Sequence, residues 1–148
     1  MTEPLGEVRR ECVEGYLFST DPIEFLLFRR PPSRGRVWVP VSGKTEPGDA
    51  DFESALRREL REETGLLEPV RLFPLDWHVP FRADNGETWR LHAYGVEVAR
   101  SFRPRLSEEH EEWAWLSLSE ATERLHYPDN RAALRRLVER LGSPPSKV

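Results

Sequence analysis

The segment DFESALRRELREETGL, residues 51–66, constrains the fold most, because it combines a helical apolar period with a high density of acidic residues. The segment follows the Gly/Pro-containing loop SGKTEPGD, and Gly65 is a typical C-terminal stop, so it predicts a helix over residues 51–64. Its apolar residues recur at helical spacing and predict one face that packs on a protein core.

The acidic residues of this helix are predicted to point the same way as its apolar stripe. At about 100° per residue, Glu63 lies about 40° from Glu59, and Glu62 lies about 60° away on the other flank. The apolar residues within about 60° of Glu59 are Phe52, Ala55, Leu56 and Leu66. The opposite side carries Ser54, Arg57, Arg61 and Thr64.

This arrangement predicts a cation site at the edge of the core. A solvated face of i,i+4 ion pairs accounts for Arg57 and Arg61 but not for Glu59 and Glu63. Carboxylates brought together in a partly desolvated place repel each other and resist ionisation. A hard divalent cation such as Mg²⁺ prefers oxygen ligands and removes that cost.

The remaining periodicity predicts a mixed β-sheet with helices packed on it. Strands are predicted at residues 13–19, 24–29 and 37–41 and in the segments PVRLFPLDWHVPFR, ETWRLHAYGVEVA and EEWAWLSL. Ser119 and Asp129 are candidate N-caps of two further helices, the last of which ends near Gly142, ahead of a frayed tail SPPSKV. The predicted class is α+β, an α/β/α sandwich in one domain over residues 1–148.

Composition narrows the possible partners. A chain of 148 residues suits one domain with its own core, and a formal charge of -4 argues against polymeric nucleic acid as a partner. A small phosphorylated ligand in a local basic pocket remains compatible with that charge. No apolar run reaches the length of a membrane span, and the N-terminus lacks the apolar core of a signal peptide, so we expect a cytoplasmic monomer or homodimer without membrane contact.

Cysteine and histidine contribute little to the predicted chemistry. Cys12 is the only cysteine, which excludes an internal disulfide and a cysteine-based zinc cluster. The four histidines show no metal-ligand spacing and are interpreted as surface or half-buried residues.

At this point the sequence resembles the Nudix (MutT-like) hydrolase family. The family signature is Gly, five residues, Glu, seven residues, and then Arg-Glu-apolar-x-Glu-Glu-x-Gly-apolar. This chain has Gly43, five residues, Asp49, eight residues, and then RELREETGL over residues 58–66. It departs from the signature in having Asp49 in place of Glu and in the extra residue before Arg58, which falls where loop becomes helix.

The resemblance covers nearly the whole chain and implies a Nudix fold, a mixed sheet flanked by helices. It implies that Glu59, Glu62 and Glu63 bind Mg²⁺ or Mn²⁺, with the Gly43 carbonyl as a further ligand. It also implies that Arg58 holds the glutamates in position through a salt bridge.

A narrower resemblance concerns the bacterial dihydroneopterin triphosphate / dATP pyrophosphohydrolase group. The segments VWVPVSGKTEPGD, SEEHEEWAWL and DNRAAL are similar to that group in order and spacing. There, a glutamate just before the His of an E-H-x-x-x-x-W segment acts near the metal. The matching residue here is Glu109, ahead of His110 and Trp115.

The implied chemistry is attack of a metal-activated water on a phosphorus of a nucleoside diphosphate linked to another group X. Either Glu59 or Glu109 would take the proton. The candidate phosphate contacts before the signature are Arg29, Arg30, Arg34, Arg36 and Lys44. The candidate stacking residues for a base or pterin are Trp38, Trp77, Phe81 and Trp89.

The favoured function is therefore Mg²⁺-dependent cleavage of a (deoxy)nucleoside or pterin triphosphate to the monophosphate and pyrophosphate. Dinucleoside polyphosphates, ADP-ribose and oxidised dGTP are alternative substrates for the same site. A Nudix-fold regulator that senses nucleotide without cleaving it is the non-enzymatic alternative. The intact box glutamates and the lack of a visible DNA-binding segment disfavour it.

Overall fold

A computed structural model describes residues 6–142. Its longest strand, β1 (Val8–Thr20), pairs with three other strands and organises the fold. The other strands are β2 (Ile23–Arg29), β3 (Trp38–Val39), β4 (Val41–Lys44), β5 (Arg71–Arg82), β6 (Thr88–Glu97) and β7 (Glu112–Leu116). The α-helices are α1 (Phe52–Thr64), α2 (Leu118–Arg124) and α3 (Pro128–Gly142).

The strands form one mixed sheet in the order β3-β2-β1-β6-β5, with β4 paired to β1 and β7 paired to β2. Strands β1 and β6 run parallel, and the other pairs are antiparallel. Along one side, β1 pairs first with β4, at residues 12–15, and then with β2, at residues 17–20. This split places the signature glycine, Gly43, beside helix α1.

Each face of the sheet carries its own core, because side chains alternate along a strand. On one face Val13 and Leu17 of β1 pack with Leu56 and Leu60 of α1. On the other face Tyr16 and Phe18 pack with residues of α2 and α3; the helical members are Ala121, Ala133, Leu134 and Leu137. The sheet is therefore flanked by helices on both faces, which confirms the predicted α+β fold class.

Several predicted boundaries were wrong. Residues 37–41 do not form one strand, because Pro40 has no N–H for the ladder and separates β3, which pairs with β2, from β4, which pairs with β1. Ser117, not Ser119, caps α2, through a capping box with Glu120. Helix α3 begins at Pro128, so Asp129 lies inside its first turn.

Thr64 was predicted on the outer side of α1 but is buried. Its hydroxyl donates to the Leu60 carbonyl at 2.7 Å and accepts from the Leu66 N–H at 3.2 Å, so it closes the end of the helix. The SPPSKV tail lies outside the described residues. No helix in residues 6–142 is long and apolar enough to cross a membrane.

Candidate active site

Helix α1 presents Glu59 and Glu63 to the interior of the protein. Its first turn is fixed by Asp51, which accepts from the Ser54 N–H at 2.8 Å, and its last by Gly65 with φ of 78°. Glu59 is 8% exposed and Glu63 is 5% exposed, and Leu56 and Leu60 of the same helix are fully buried. The prediction that these acids share the apolar side is confirmed.

The Glu59 carboxylate lies directly against the backbone of Gly43. A Cβ at position 43 would overlap the carboxylate, so no residue with a side chain fits there without displacing Glu59. Gly43 is held in this place by its pairing with Val13 of β1. The glycine of the signature is thus explained by close approach rather than by a left-handed backbone.

Glu59 and Glu63 lie one turn apart and interact directly. Burial raises the pKa of both carboxyls, and the neighbouring carboxylate raises the pKa of Glu63 further. Two touching carboxylates in a desolvated place cannot both carry a charge without a proton or a cation between them. This donor set fits a hard divalent cation, which prefers carboxylate oxygen.

Arg58 connects the signature loop to this pair. Its guanidinium donates to both oxygens of Asp49 at 3.0 Å, to Glu59 Oε2 at 3.0 Å and to the Lys44 carbonyl at 3.0 Å. The same contact with Arg58 lowers the pKa of Asp49. Asp49, the residue that departs from the family signature, thus anchors Arg58 through a bidentate pair.

Glu62, the third predicted carboxylate ligand, is placed differently. Its side chain is 60% exposed, and Oε1 lies 3.4 Å from Arg58. Within residues 6–142, no three His, Cys, Asp or Glu side chains converge closely enough to enclose a cation by themselves. The structure therefore brings together Glu59, Glu63 and Gly43, with Glu62 at the margin of the site.

Glu109 and His110 approach the pair from the loop before β7. Glu109 lines the same cavity as Glu59 and Glu63, is 52% exposed, and lies 3.4 Å from Arg34. His110 is buried, and its Nδ1 lies 3.4 Å from Glu63 Oε1 without forming a hydrogen bond. Burial lowers the pKa of His110 to about 4, so the ring is neutral at pH 7.

The interpretation of every histidine as surface or half-buried was wrong for His92 and His110, which are buried. Spacing along the chain could not reveal either one. The His110 ring packs against Phe28 at a tilt of 41°, with ring centroids 5.2 Å apart, and this contact depends on the β2–β7 pairing.

A cavity of about 930 Å³ opens beside the acid pair. Its floor is formed by neighbouring strands of the sheet. Cys12 of β1 pairs with Leu91 of β6, and Glu14 of β1 pairs with Ser42 of β4, so the four side chains face the same way. Other lining residues come from the β5–β6 hairpin (Phe81, Arg82 and Trp89) and from the start of α3 (Tyr127, Asp129 and Asn130).

The predicted phosphate contacts divide into two groups. Arg30, Arg34 and Lys44 line the cavity. Arg29 and Arg36 do not, because both turn to Glu111, at 2.9 Å and 3.6 Å. The cavity gains two cations that the sequence did not single out, Arg10 from β1 and Arg82 from the hairpin.

The predicted aromatic contacts divide in the same way. Trp89 and Phe81 line the cavity as an edge-to-face pair with centroids 6.0 Å apart, and Lys44 Nζ lies 4.9 Å from the centre of the Trp89 ring. Trp38 and Trp77 lie outside the cavity and pack against the core on the α2 and α3 side.

The chain matches known proteins over most of its length. The family model described as NUDIX domain matches residues 9–142. The mouse (Mus musculus) asymmetrical bis(5'-nucleosyl)-tetraphosphatase is 34% identical over 133 residues, which cover 84% of each protein.

Two bacterial relatives are longer proteins. The Myxococcus xanthus octanoyltransferase is 34% identical over 114 residues, 75% of this chain and 31% of that protein. The 8-oxo-(d)GTP phosphatase of Mycolicibacterium smegmatis is 30% identical over 120 residues, 80% of this chain and 34% of that protein. The chain thus spans about a third of the length of these two relatives.

Among solved structures, a Caenorhabditis elegans Ap4A hydrolase binary complex has a TM-score of 0.77 and 23% identity, covering 92% of this chain and all of the other. The Escherichia coli dihydroneopterin triphosphate pyrophosphohydrolase has a TM-score of 0.76 and 19% identity, covering 90% and 99%. Both show the fold alone, so the narrower resemblance through Glu109 remains a prediction.

Glu59 and Glu63 of the signature thus lie together on one buried helix face, beside Gly43 of the facing strand, in the fold of these structures. Because the family model also spans nearly the whole chain, the protein belongs to the Nudix hydrolase family.

Proposed function

We propose that the protein hydrolyses a phosphoric anhydride bond of a dinucleoside polyphosphate in a reaction that requires Mg²⁺, with Mn²⁺ as a substitute. The observation that carries this proposal is the buried contact between Glu59 and Glu63 beside a cavity lined by five basic residues. These residues are Arg10, Arg30, Arg34, Lys44 and Arg82. They supply the positive charge that an anionic polyphosphate needs near an acidic centre.

The substrate class follows from similarity and from the cavity. The mouse tetraphosphatase covers 84% of this chain and is itself covered to 84%, which favours a dinucleoside polyphosphate over the triphosphate expected from the narrower resemblance. The cavity has polar and aromatic residues on both the hairpin and the start of α3, in addition to the acid pair. These two parts of the cavity, one at the hairpin and one at the start of α3, suit a substrate with two nucleosides.

The residues have distinct proposed roles. Glu59 and Glu63 would hold the cation, together with Glu62 and the Gly43 carbonyl. A divalent cation bound there would lower the pKa of a water molecule and neutralise charge on the phosphates. Arg58 would keep Glu59 in position through its contacts with Asp49 and Glu59.

Proton transfer is proposed for Glu109. Its carboxylate lines the cavity, and among residues 6–142 the one side chain that contacts it as a donor is Arg34, at 3.4 Å. Glu59, by contrast, is fixed by Arg58 at 3.0 Å and lies against Gly43. A carboxylate free to turn toward a reacting water suits a general base better than one held by an arginine.

A second candidate is cleavage of a nucleoside or pterin triphosphate to the monophosphate and pyrophosphate. The Glu109–Trp115 segment, which resembles the dihydroneopterin triphosphate / dATP pyrophosphohydrolase group, favours it. Because the M. smegmatis relative is an 8-oxo-(d)GTP phosphatase, an oxidised guanine nucleotide should also be tested as a substrate.

The test is a substrate panel with Mg²⁺ that contains diadenosine tetraphosphate, ATP, dihydroneopterin triphosphate and 8-oxo-dGTP. Release of a mononucleotide and a nucleoside triphosphate from the tetraphosphate supports the proposal. Pyrophosphate release from a triphosphate, with no cleavage of the tetraphosphate, supports the second candidate. Absence of turnover with every substrate, in Mg²⁺ and in Mn²⁺, would refute both.

A further inference from the structure

Glu14 is a buried carboxyl group that the proposed reaction does not use. It is 5% exposed, stands in the middle of β1, and lines the cavity. Glu14 points to the face of the sheet that carries α3, whereas Glu59 lies over Gly43 on the face that carries α1. It is therefore not part of the acid pair.

The partners of Glu14 are neutral. Tyr16 donates its hydroxyl to Glu14 Oε1 at 2.6 Å, and Asn130 donates from Nδ2 to Glu14 Oε2 at 3.1 Å. No arginine or lysine of residues 6–142 forms an ion pair with Glu14. Burying a carboxyl without a counter-charge is unfavourable, so a core that only needed packing would be better served by an apolar residue.

Asn130 supplies a second, independent observation. Its side chain is 4% exposed and lines the cavity, with Nδ2 shared between Glu14 and the Tyr16 hydroxyl at 3.0 Å. Its Oδ1 accepts no hydrogen bond from the described residues. A buried amide oxygen without a donor is uncommon and points to a missing partner.

This end of the cavity suits the uncharged part of the substrate. Glu14 and Asp129 both line it and repel a phosphate group, and Arg30, the nearby cation, forms no ion pair with Glu14. Cys12 and Leu91 provide a partly apolar floor next to these acceptors. A flat heterocycle whose edge carries N–H donors matches this combination.

We propose that Glu14 and Asn130 determine base specificity, and that they select a ring edge with two adjacent donors, a ring N–H beside an exocyclic amino group. Guanine and pterin rings share this edge. A carboxylate can accept two parallel N–H bonds, whereas adenine and cytosine present a donor beside an acceptor and leave a lone pair against the carboxylate. The inference rests on the proposed function, because it assigns the base of the same substrate.

The test compares base preference in the parent protein and in Glu14→Gln. The expected preference for guanine over adenine is roughly 5- to 150-fold in kcat/KM, the size of one bidentate base contact. It is measured with diguanosine and diadenosine tetraphosphates, and with GTP and ATP if only triphosphates are cleaved. Gln keeps the volume but offers one acceptor and one donor, so the preference should fall to within about threefold of unity, mostly through loss of guanine activity.

Two comparisons control the result. Glu11→Gln changes another acid of β1 that pairs with Arg90 and does not line the cavity, so its base preference should equal that of the parent. Inosine substrates lack only the exocyclic amino group and test the same contact in the unaltered protein, so the test does not depend on the folding of a variant. Inosine should be used less well than guanine.

Equal use of guanine, inosine and adenine by the parent, or an unchanged preference in a folded Glu14→Gln, would overturn the inference and leave the hydrolase proposal intact. If no nucleotide is cleaved, binding of GMP, IMP and AMP by calorimetry decides the inference separately. Tighter binding of GMP that depends on Glu14 supports it, and equal binding of the three refutes it.

Discussion

Glu14 and the Glu59–Glu63 pair line the same cavity, but they lie on opposite faces of the sheet and have different neighbours. Glu14 is held by two neutral donors, and burial raises its pKa to about 7. Glu59 and Glu63 are held against each other, and burial raises the pKa of both. A single carboxyl with neutral hydrogen-bond donors can stay buried near pH 7. Two carboxylates that contact each other there need a cation to balance their charge.

This difference assigns the two sites different chemistry. The helix site, Glu59 and Glu63 of α1, has excess negative charge and is suited to a metal and to phosphate transfer. The strand site, Glu14 with Tyr16 and Asn130, holds one buried carboxyl between two neutral donors and does not press a second buried carboxylate against it.

Chelation should have the largest effect. We expect excess EDTA to abolish hydrolysis and added Mg²⁺ to restore it, because Glu59 and Glu63 are the groups that need a cation. Circular dichroism in EDTA should show an unchanged fold, since the apolar core on both faces does not depend on the metal. Undiminished turnover in excess chelator would contradict the assignment of the helix site.

Glu63→Gln should lower kcat by roughly 10²–10⁴, the several kcal/mol that a bound metal contributes to a transition state. The pKa of Glu63 in the folded protein lies above the ordinary carboxyl value of 4.5, so the folded state loses stability as the pH rises past that value. The variant should therefore be more stable than the metal-free parent at pH 8, and the difference should vanish below about pH 4.5 in urea titrations. A less stable variant at pH 8 would show that the two carboxylates do not repel.

Glu109→Gln should lower kcat by about 10²-fold, at the lower end of general-base effects, and change KM much less. The reason is that a proton acceptor acts mainly in the transition state. Glu108→Gln is the matched control, because Glu108 is exposed and does not line the cavity. If kcat of Glu109→Gln stays within about twofold of the parent, Glu59 becomes the base candidate.

Glu14→Gln should change stability in a pH-dependent way. The rise of its pKa from 4.5 to about 7 corresponds to a loss of about 3 kcal/mol as the pH passes through that range. We expect the variant and the parent to be similarly stable at pH 4.5 and the variant to be more stable at pH 8. Glu11→Gln should do the opposite at pH 8, because hydrogen bonding from Arg90 lowers the pKa of Glu11, so that its charge stabilises the fold above pH 4.5.

The sequence predicted the helix site well and missed the strand site. Helical periodicity and the signature placed Glu59 and Glu63 inward, because both depend on residues close together in the chain. Glu14 stands between Val13 and Gly15 in a strand, and its partner Asn130 is more than a hundred residues away, so no local pattern connects them. The same limit applies to Arg29 and Arg36, whose partner Glu111 is set by the distant β2–β7 pairing.

Asp49 illustrates a departure that sequence alone left open. The extra residue before Arg58 lengthens the segment between β4 and α1, and the N-cap at Asp51 keeps the helix in the orientation that the signature requires. Asp49 still reaches Arg58 with both oxygens at 3.0 Å. The extra loop residue is tolerated because the Asp49–Arg58 interaction is made by flexible side chains and does not require Asp49 to occupy a fixed position on the helix.

The smallest effect is expected for Arg61→Gln, on the outer side of α1. Arg61 is exposed, and its contribution to the helix is a backbone carbonyl that accepts from Gly65 at 3.0 Å, which the substitution leaves in place. The free energy of unfolding should change by less than about 0.5 kcal/mol and kcat/KM by less than about twofold, as is usual for surface substitutions.

Arg58→Gln is the matched variant on the same helix, three residues earlier. It removes the bidentate contact with Asp49 and the contact with Glu59, so it should lower both stability and kcat/KM well beyond Arg61→Gln. Urea titration and steady-state kinetics of the two variants measure the contrast directly. If Arg61→Gln proved as damaging as Arg58→Gln or Glu63→Gln, the two sides of α1 would not differ in function, and the separation of a metal-binding inner face from a solvated outer face would fail.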